Sequence, residues 1–221
     1  MKTIPFKHIF IMGIIISFLL VSSCNTTEPP PPSTTVPSAP SNLEATAVSS
    51  TQINLSWKDN SNNEEGFKIE RAPYGTTNFS VIKNADPNTT SHQNTGLTAA
   101  TCYIYRVMGY NSSGSSNYSN TDTATTHLFT LTITPSNQKV TNESGSTNFT
   151  VTSNTSWSVS SDAAWLIVSP ENGSNNGNLT ATYTANTTLI QRVGTITVSG
   201  GGLKRTATVI QAAVPQNEPD W

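Results

Sequence analysis

The chain has 221 residues and a formal net charge of −2, and 11% of its residues are charged, against about 25% in an ordinary globular domain. So few charges build neither a basic stripe for nucleic acid nor an acidic tail. Ser, Thr and Asn together supply 86 residues, a hydroxyl- and amide-rich composition that fits β-structure with a neutral surface.

Lys2 and Lys7 precede an apolar run from Ile9 to Val21. That run falls short of the ~20 residues a membrane-spanning helix needs and fits the short apolar core of an export signal. It ends in Leu20-Val21-Ser22-Ser23-Cys24. The basic start, short apolar core, small residues and cysteine together resemble a bacterial lipoprotein signal. The resemblance implies that residues 1–23 are removed and that Cys24 is lipidated, with palmitate-type chains on its sulfur and amine. Several chains anchor firmly where one does not. The alternative is an ordinary signal peptide cleaved near Ser23. Asn25, where an aspartate would retain a lipoprotein at the inner membrane, implies the outer membrane. Glu28 alone stands where surface-exported lipoproteins carry an acidic cluster. With Cys24 lipidated only Cys102 is left, so no disulfide forms within the chain.

Residues 24–38 form a proline-rich linker, with Pro29-Pro30-Pro31-Pro32 followed by Pro37 and Pro40. At ~3.1 Å per residue in an extended polyproline conformation, the stretch from Asn25 to Pro40 reaches roughly 50 Å. It reads as a stand-off stalk.

From Leu43 the pattern becomes period-two. Ile53, Leu55 and Trp57 alternate with polar residues, as a half-buried strand requires. Asp59 to Gly66 is a polar turn, Phe67 and Ile69 open the next strand, and Phe79, Val81 and Ile82 mark a third ending at Pro87-Asn88. Tyr103, Tyr105 and Val107 alternate on a further strand that closes in a turn cluster over Asn111–Asn117, and Thr121 to Thr126 is a closing edge strand. Strands at this spacing, with no helical period, predict an antiparallel sandwich. Pro40, Ile53-Asn54-Leu55-Ser56-Trp57, Gly66-Phe67-Lys68-Ile69-Glu70-Arg71 and Tyr103-Ile104-Tyr105-Arg106-Val107 carry the resemblance of residues 39–126 to a bacterial fibronectin type III domain. Leu97 lies six residues before Tyr103, the spacing of a tyrosine corner.

A second set of alternations starts near Phe129. Leu131 and Ile133, Phe149 and Val151, Trp157 and Val159, and the run Trp165–Pro170 each read as strands. Gly173 falls in an Asn/Ser-rich turn. Leu179, Ala181 and Tyr183 alternate, as do Gly194, Ile196 and Val198; Gly200-Gly201-Gly202 makes a hairpin turn before a last strand over Ala207–Ala212. Ser156-Trp157, Trp165-Leu166, Ser169-Pro170, Arg192-Val193-Gly194-Thr195-Ile196 and Ile210-Gln211 make residues 127–214 resemble a BACON domain, an immunoglobulin-like unit of Bacteroidota. The fold class is thus all-β: two tandem immunoglobulin-like sandwiches, joined through His127–Thr130 and followed by a tail, 215–221.

Reaction chemistry is hard to assemble from these residues. His92 and His127 have no metal-ligand spacing, and no serine stands in a nucleophile elbow. The acids are scattered, without the facing pair a glycoside hydrolase uses. Asp59–Gly66 offers oxygen ligands for Ca²⁺ but lacks the sixth-position glycine and distal glutamate of a calcium loop. No metal, cofactor or enzymatic activity is expected. Cys102 should face away from the core beside the inward ring of Tyr103, with no basic neighbour to activate it. Trp57, Tyr103, Tyr105, Trp157 and Trp165 fall in core-facing positions. Tyr74, Tyr110, Tyr118 and the terminal Trp221 are placed for exposure, and Tyr74, Tyr110 and Tyr118 are the candidate ligand-contacting residues. Asp122-Thr123-Ala124 resembles a Bacteroidota O-glycosylation site.

The sequence therefore predicts a non-catalytic envelope lipoprotein that displays sandwich modules, membrane-bound through Cys24, with a polysaccharide or a surface protein as partner. The BACON resemblance implies carbohydrate binding. The competing expectation is a structural spacer or assembly component with no ligand of its own.

Overall fold

A computed structural model describes residues 35–216. Cys24, the signal segment, most of the proline-rich linker and Trp221 lie outside the described residues. Among the described residues every regular element is a β-strand, as the period-two alternation predicts.

In the first sandwich the strands are β1 (Ser41–Ala47), β2 (Ile53–Lys58), β3 (Gly66–Pro73), β4 (Ser80–Ala85), β5 (Ser91–Asn94), β6 (Cys102–Asn111), β7 (Gly114–Ser115) and β8 (Asp122–Thr125). One sheet runs β1-β2-β5; the other runs β4-β3-β6, with β7 and β8 both paired to β6. All these pairs are antiparallel. Strand β6 alternates along its whole length, with Tyr103, Tyr105 and Val107 inward and Ile104, Arg106 and Met108 outward. Trp57, Phe67 and Tyr105 are buried in its core, with the Trp57 and Phe67 rings edge to face at 5.9 Å. Burying such rings supplies about 1.5–3 kcal/mol each. The tyrosine corner forms as its spacing predicts: Thr98 donates its backbone N–H to the Tyr103 hydroxyl at 3.2 Å, and Leu97 is buried beside it.

The second sandwich comprises β9 (Leu131–Thr134), β10 (Asn137–Val140), β11 (Gly145–Ser153), β12 (Ser156–Ser161), β13 (Leu166–Ser169), β14 (Asn172–Ser174), β15 (Gly177–Tyr183), β16 (Arg192–Gly200) and β17 (Leu203–Gln211). One sheet is ordered β10-β17-β16-β12-β14 and the other β13-β15-β11-β9. Leu131, Phe149, Trp157, Leu179 and Ile196 are among the side chains packed between them.

The structure adds the short strands β5 and β10, which the sequence reading did not place, and departs from that reading in three further details. β10 pairs with β17 in parallel, so the second sandwich is not wholly antiparallel. Gly173 is not in a turn but in β14, opposite Trp157. A Cβ there would lie 2.4 Å from Cζ2 of that indole, so the ring occupies the space a side chain would need. The Asn111–Asn117 cluster contains the short strand β7, which folds back on the end of β6 as a hairpin.

Candidate functional site

The outward face of β3 and β6 carries two of the three candidate tyrosines. Tyr110, opposite Gly66, is half-buried, and the Lys68 ammonium lies 5.3 Å from its ring centroid. Gly66 is required there: a Cβ would sit 2.4 Å from the Ala85 carbonyl oxygen and 2.8 Å from the Tyr110 hydroxyl. Four residues back along β6, roughly 13 Å at the usual strand rise, Arg106 faces Glu70. Its guanidinium binds one carboxylate oxygen twice, Nη2 at 2.6 Å and Nε at 2.7 Å. The Phe79 and Tyr118 rings stack on it at 4.0 and 3.7 Å. Tyr118 donates its hydroxyl to the other Glu70 oxygen at 3.2 Å. Burial first, then the Glu70 charge, pushes the Tyr118 phenol above its ordinary value. Tyr74 lies in the turn after β3, 64% exposed, its amide bonded to the Cys102 carbonyl at 3.1 Å. The three tyrosines are thus spaced along β6 rather than gathered into one cluster.

The polar loop 59–65 is tied by its own side chains. Asp59 accepts the Ser61 N–H at 2.9 Å, Ser61 donates to Asn63 at 2.7 Å, and Asn60 donates to the Ala39 carbonyl at 2.9 Å. Glu64 is buried and accepts the N–H of Asn88, a residue in the left-handed region at φ 59°. Burial pushes its carboxyl up, but the amides of Glu64 itself and Asn88 outweigh that and hold it below the usual range. Among the described residues no three Asp, Glu, His or Cys side chains converge as metal ligands, and no pocket opens. His92 lies on β5, with burial and then Lys83 holding its imidazole below the ordinary value. Cys102 is half-buried on β6, opposite Thr125.

In the second sandwich Trp157 is buried and donates its indole N–H to the Asn175 carbonyl at 2.7 Å. Trp165 is half-buried, with the Arg192 guanidinium 4.3 Å from its ring centroid. Arg192 pairs in register with Gln211 and donates to its side-chain oxygen at 2.9 Å. The wholly buried Gln211 amide in turn donates to the carbonyls of Asn142, Glu143 and Thr184. The half-exposed Arg and the buried terminal Gln are therefore two halves of one hydrogen-bond network, a link the sequence did not reveal. Asn186, 1% exposed, donates to the carbonyls of Ile190 and Ala212 and fixes a loop that holds Leu189 and Ile190 out in solvent.

Sequence reasoning also missed the outward face of β13-β15-β11-β9. These strands contain no charged residue. Their outward positions are exposed Thr, Asn and Ser, with Ile167 the sole large apolar side chain among them. Rows cross the strands in register: Thr134, Thr150 and Asn178 form one, and Asn148, Thr180 and Ser169 another. The one available signal was the lack of Lys, Arg, Asp and Glu in four separate strand segments.

Residues 38–125 match the family model of the fibronectin type III domain, and residues 130–214 that of the viral BACON domain. The chain carries a fibronectin type III domain followed by a BACON domain. Among curated proteins, it is 37% identical over 101 residues to an alpha-amylase of Niallia circulans, a match covering 44% of this chain and 7% of the amylase. It is 33% identical over 136 residues to exoglucanase B of Cellulomonas fimi, covering 59% of this chain and 11% of that protein. The chain thus spans about a tenth or less of these relatives. Among solved structures, a Bacteroides ovatus GH5 xyloglucanase in complex with a XXXG heptasaccharide matches 40% of this chain and 20% of that one, at 22% identity and TM-score 0.37. The chicken CNTN1 FN1-FN3 domains match 81% and 68% of the two chains, at 13% identity and TM-score 0.40.

Proposed function

We propose that this protein is a non-catalytic carbohydrate-binding lipoprotein of the bacterial cell envelope, held in the outer membrane through Cys24. The proline-rich linker stands its two sandwiches off from the lipid. The observation that carries the carbohydrate reading is the match to two polysaccharide-acting enzymes, an amylase and a glucanase, over about a tenth or less of their length. A segment that is so small a part of each enzyme, and is made of sandwich modules, suits an accessory that holds substrate rather than the part that cleaves it. The surfaces agree with that role: they offer hydroxyls, amides and the exposed ring of Tyr74 rather than converging acids. Tyr110 and Tyr118 extend the set of rings on the first sandwich that a sugar could stack against.

Two experiments test the two halves. Metabolic labelling with a palmitate analogue should tag the wild-type chain and send it to the membrane fraction, and Cys24→Ser should lose both; an unlabelled, soluble wild type removes the anchor. Co-sedimentation with insoluble starch or cellulose should deplete the full chain from solution. A chain that stays in the supernatant with both polymers overturns the carbohydrate reading.

A further inference from the structure

This inference rests on the carbohydrate-binding reading and places it on the molecule. In the second sandwich, charged side chains such as Lys139, Arg192 and Lys204 lie on the β10-β17-β16-β12-β14 sheet or in loops, and the opposing sheet has none. Both of its edge strands, β9 and β13, also lack the charges that ordinarily guard a sheet edge. At its centre, on the neighbouring strands β11 and β15, stand Asn148 and Asn178. Asparagine is depleted in strands, yet both stand exposed at strand positions, Asn148 in the middle of β11 and Asn178 one residue inside the start of β15, and each is held by a threonine across the ladder. Thr180 donates its hydroxyl to Asn148 Oδ1 at 3.0 Å, and Thr150 donates to Asn178 Oδ1 at 3.3 Å. Each amide oxygen is thereby occupied, while each Nδ2 has no protein acceptor among the described residues and keeps two donors for a ligand. As a diagonal cross-strand pair the two residues lie about 7–8 Å apart.

We propose that this sheet face binds a neutral polysaccharide, with the Asn148 and Asn178 amides donating to sugar hydroxyls and the threonine rows lining its path. The absence of charge selects an uncharged, polyhydroxylated ligand over an anionic one, which would want lysines or arginines on the face. It also separates this occupant from a second copy of the chain, because self-association interfaces are more apolar than the general surface and Ile167 is the one large apolar side chain here. Single exposed hydrogen bonds contribute little net free energy, so the face needs an extended chain crossing several rows.

The test is native affinity electrophoresis of the full chain through gels cast with soluble starch, xyloglucan or polygalacturonate. Wild type should be retarded by at least one of the two neutral polymers and not by polygalacturonate. Asn148→Ala/Asn178→Ala should weaken that retardation at least tenfold with an unchanged melting temperature, since both side chains are exposed. Thr197→Ala/Thr206→Ala, a cross-strand pair on the opposite sheet, should leave it unaltered. If the asparagine double variant is retarded like wild type, the face is not the site, although the protein still binds carbohydrate. Retardation chiefly by polygalacturonate overturns the neutral ligand. Unretarded migration of wild type in both neutral gels overturns this proposal together with the reading beneath it.

Discussion

Tyr118 donates its hydroxyl to Glu70 at 3.2 Å while its ring lies 3.7 Å from the Arg106 guanidinium, so a side chain 48 positions away closes the Glu70–Arg106 pair from above. The cation–π contact adds about 0.5–2 kcal/mol, and a hydrogen bond to a charged group adds about 1.5–3 kcal/mol. Because Tyr118 is 38% exposed, the combined effect should sit at the low end. Tyr118→Ala is predicted to destabilise the first sandwich by about 1–2 kcal/mol, and Tyr118→Phe by less, as measured by urea unfolding. Equal losses for the two variants would show that the ring contact with Arg106 contributes nothing, and an unchanged Tyr118→Phe would show the same of the hydroxyl bond to Glu70.

Arg106→Ala should be more damaging than either. Glu70 is 7% exposed, and removing its partner leaves a largely buried carboxylate with only the Tyr118 hydroxyl to compensate it, a loss of about 3 kcal/mol. Glu70→Gln/Arg106→Ala should recover part of that loss, because the stranded charge is then gone. A double variant no more stable than Arg106→Ala contradicts the account.

Gly173→Ala should destabilise the second sandwich through crowding. The added Cβ would come 2.4 Å from the Trp157 ring, and overpacking of this kind costs about 1–3 kcal/mol. Gly202→Ala meets no atom within 4 Å, but its φ of 77° strains any side chain. Trp157 fluorescence, shifted in Gly173→Ala and not in Gly202→Ala, separates steric pressure on the indole from backbone strain.

Gln211→Leu should cost about 1–3 kcal/mol, since it takes the buried amide away from the Glu143 carbonyl and the acceptor away from Arg192 Nε, while the Asn142 and Thr184 carbonyls keep the Asn186 N–H and Arg192 Nη2. Arg192→Ala should cost less, because Gln211 keeps its three acceptors. The denaturant midpoints of the two variants check that order.

Stability should also respond to pH at two positions. Burial and Lys83 depress the folded-state value of His92, so its contribution is complete above the unfolded value of about 6.5 and is lost as pH falls from there through the folded value. His92→Gln should flatten that segment of the first sandwich's stability profile. Asp162 accepts the Thr195 N–H at 2.7 Å, which holds its carboxyl below the usual range. Its contribution is present above the ordinary carboxylate value and disappears as pH falls through the folded one, and Asp162→Asn should remove that dependence. Thermal melts from pH 3 to 8 check both signs.

The long strands were legible because each buries one face and so writes a period-two apolar code. Ile53, Leu55 and Trp57 did so in the first sandwich, and Leu179, Ala181 and Tyr183 in the second. The Leu97–Tyr103 corner was legible because its geometry is local. β10 and β14 were not: Asn137–Val140 and Asn172–Ser174 are short and polar, and they form only because a longer neighbour offers them hydrogen bonds. Side-chain partnerships across register, such as Arg192 with Gln211 or Tyr118 with Glu70, depend on which strands meet, and no local pattern encodes that. The charge-free sheet face was likewise dispersed over four segments and became a surface on folding.

The central claim is that the displayed sandwiches hold carbohydrate. Isothermal titration of the full chain, purified in detergent, with xyloglucan and starch oligosaccharides tests it most directly. The account predicts a saturable heat with at least one of these neutral ligands, lost in Asn148→Ala/Asn178→Ala. Flat titrations of wild type with both would contradict it.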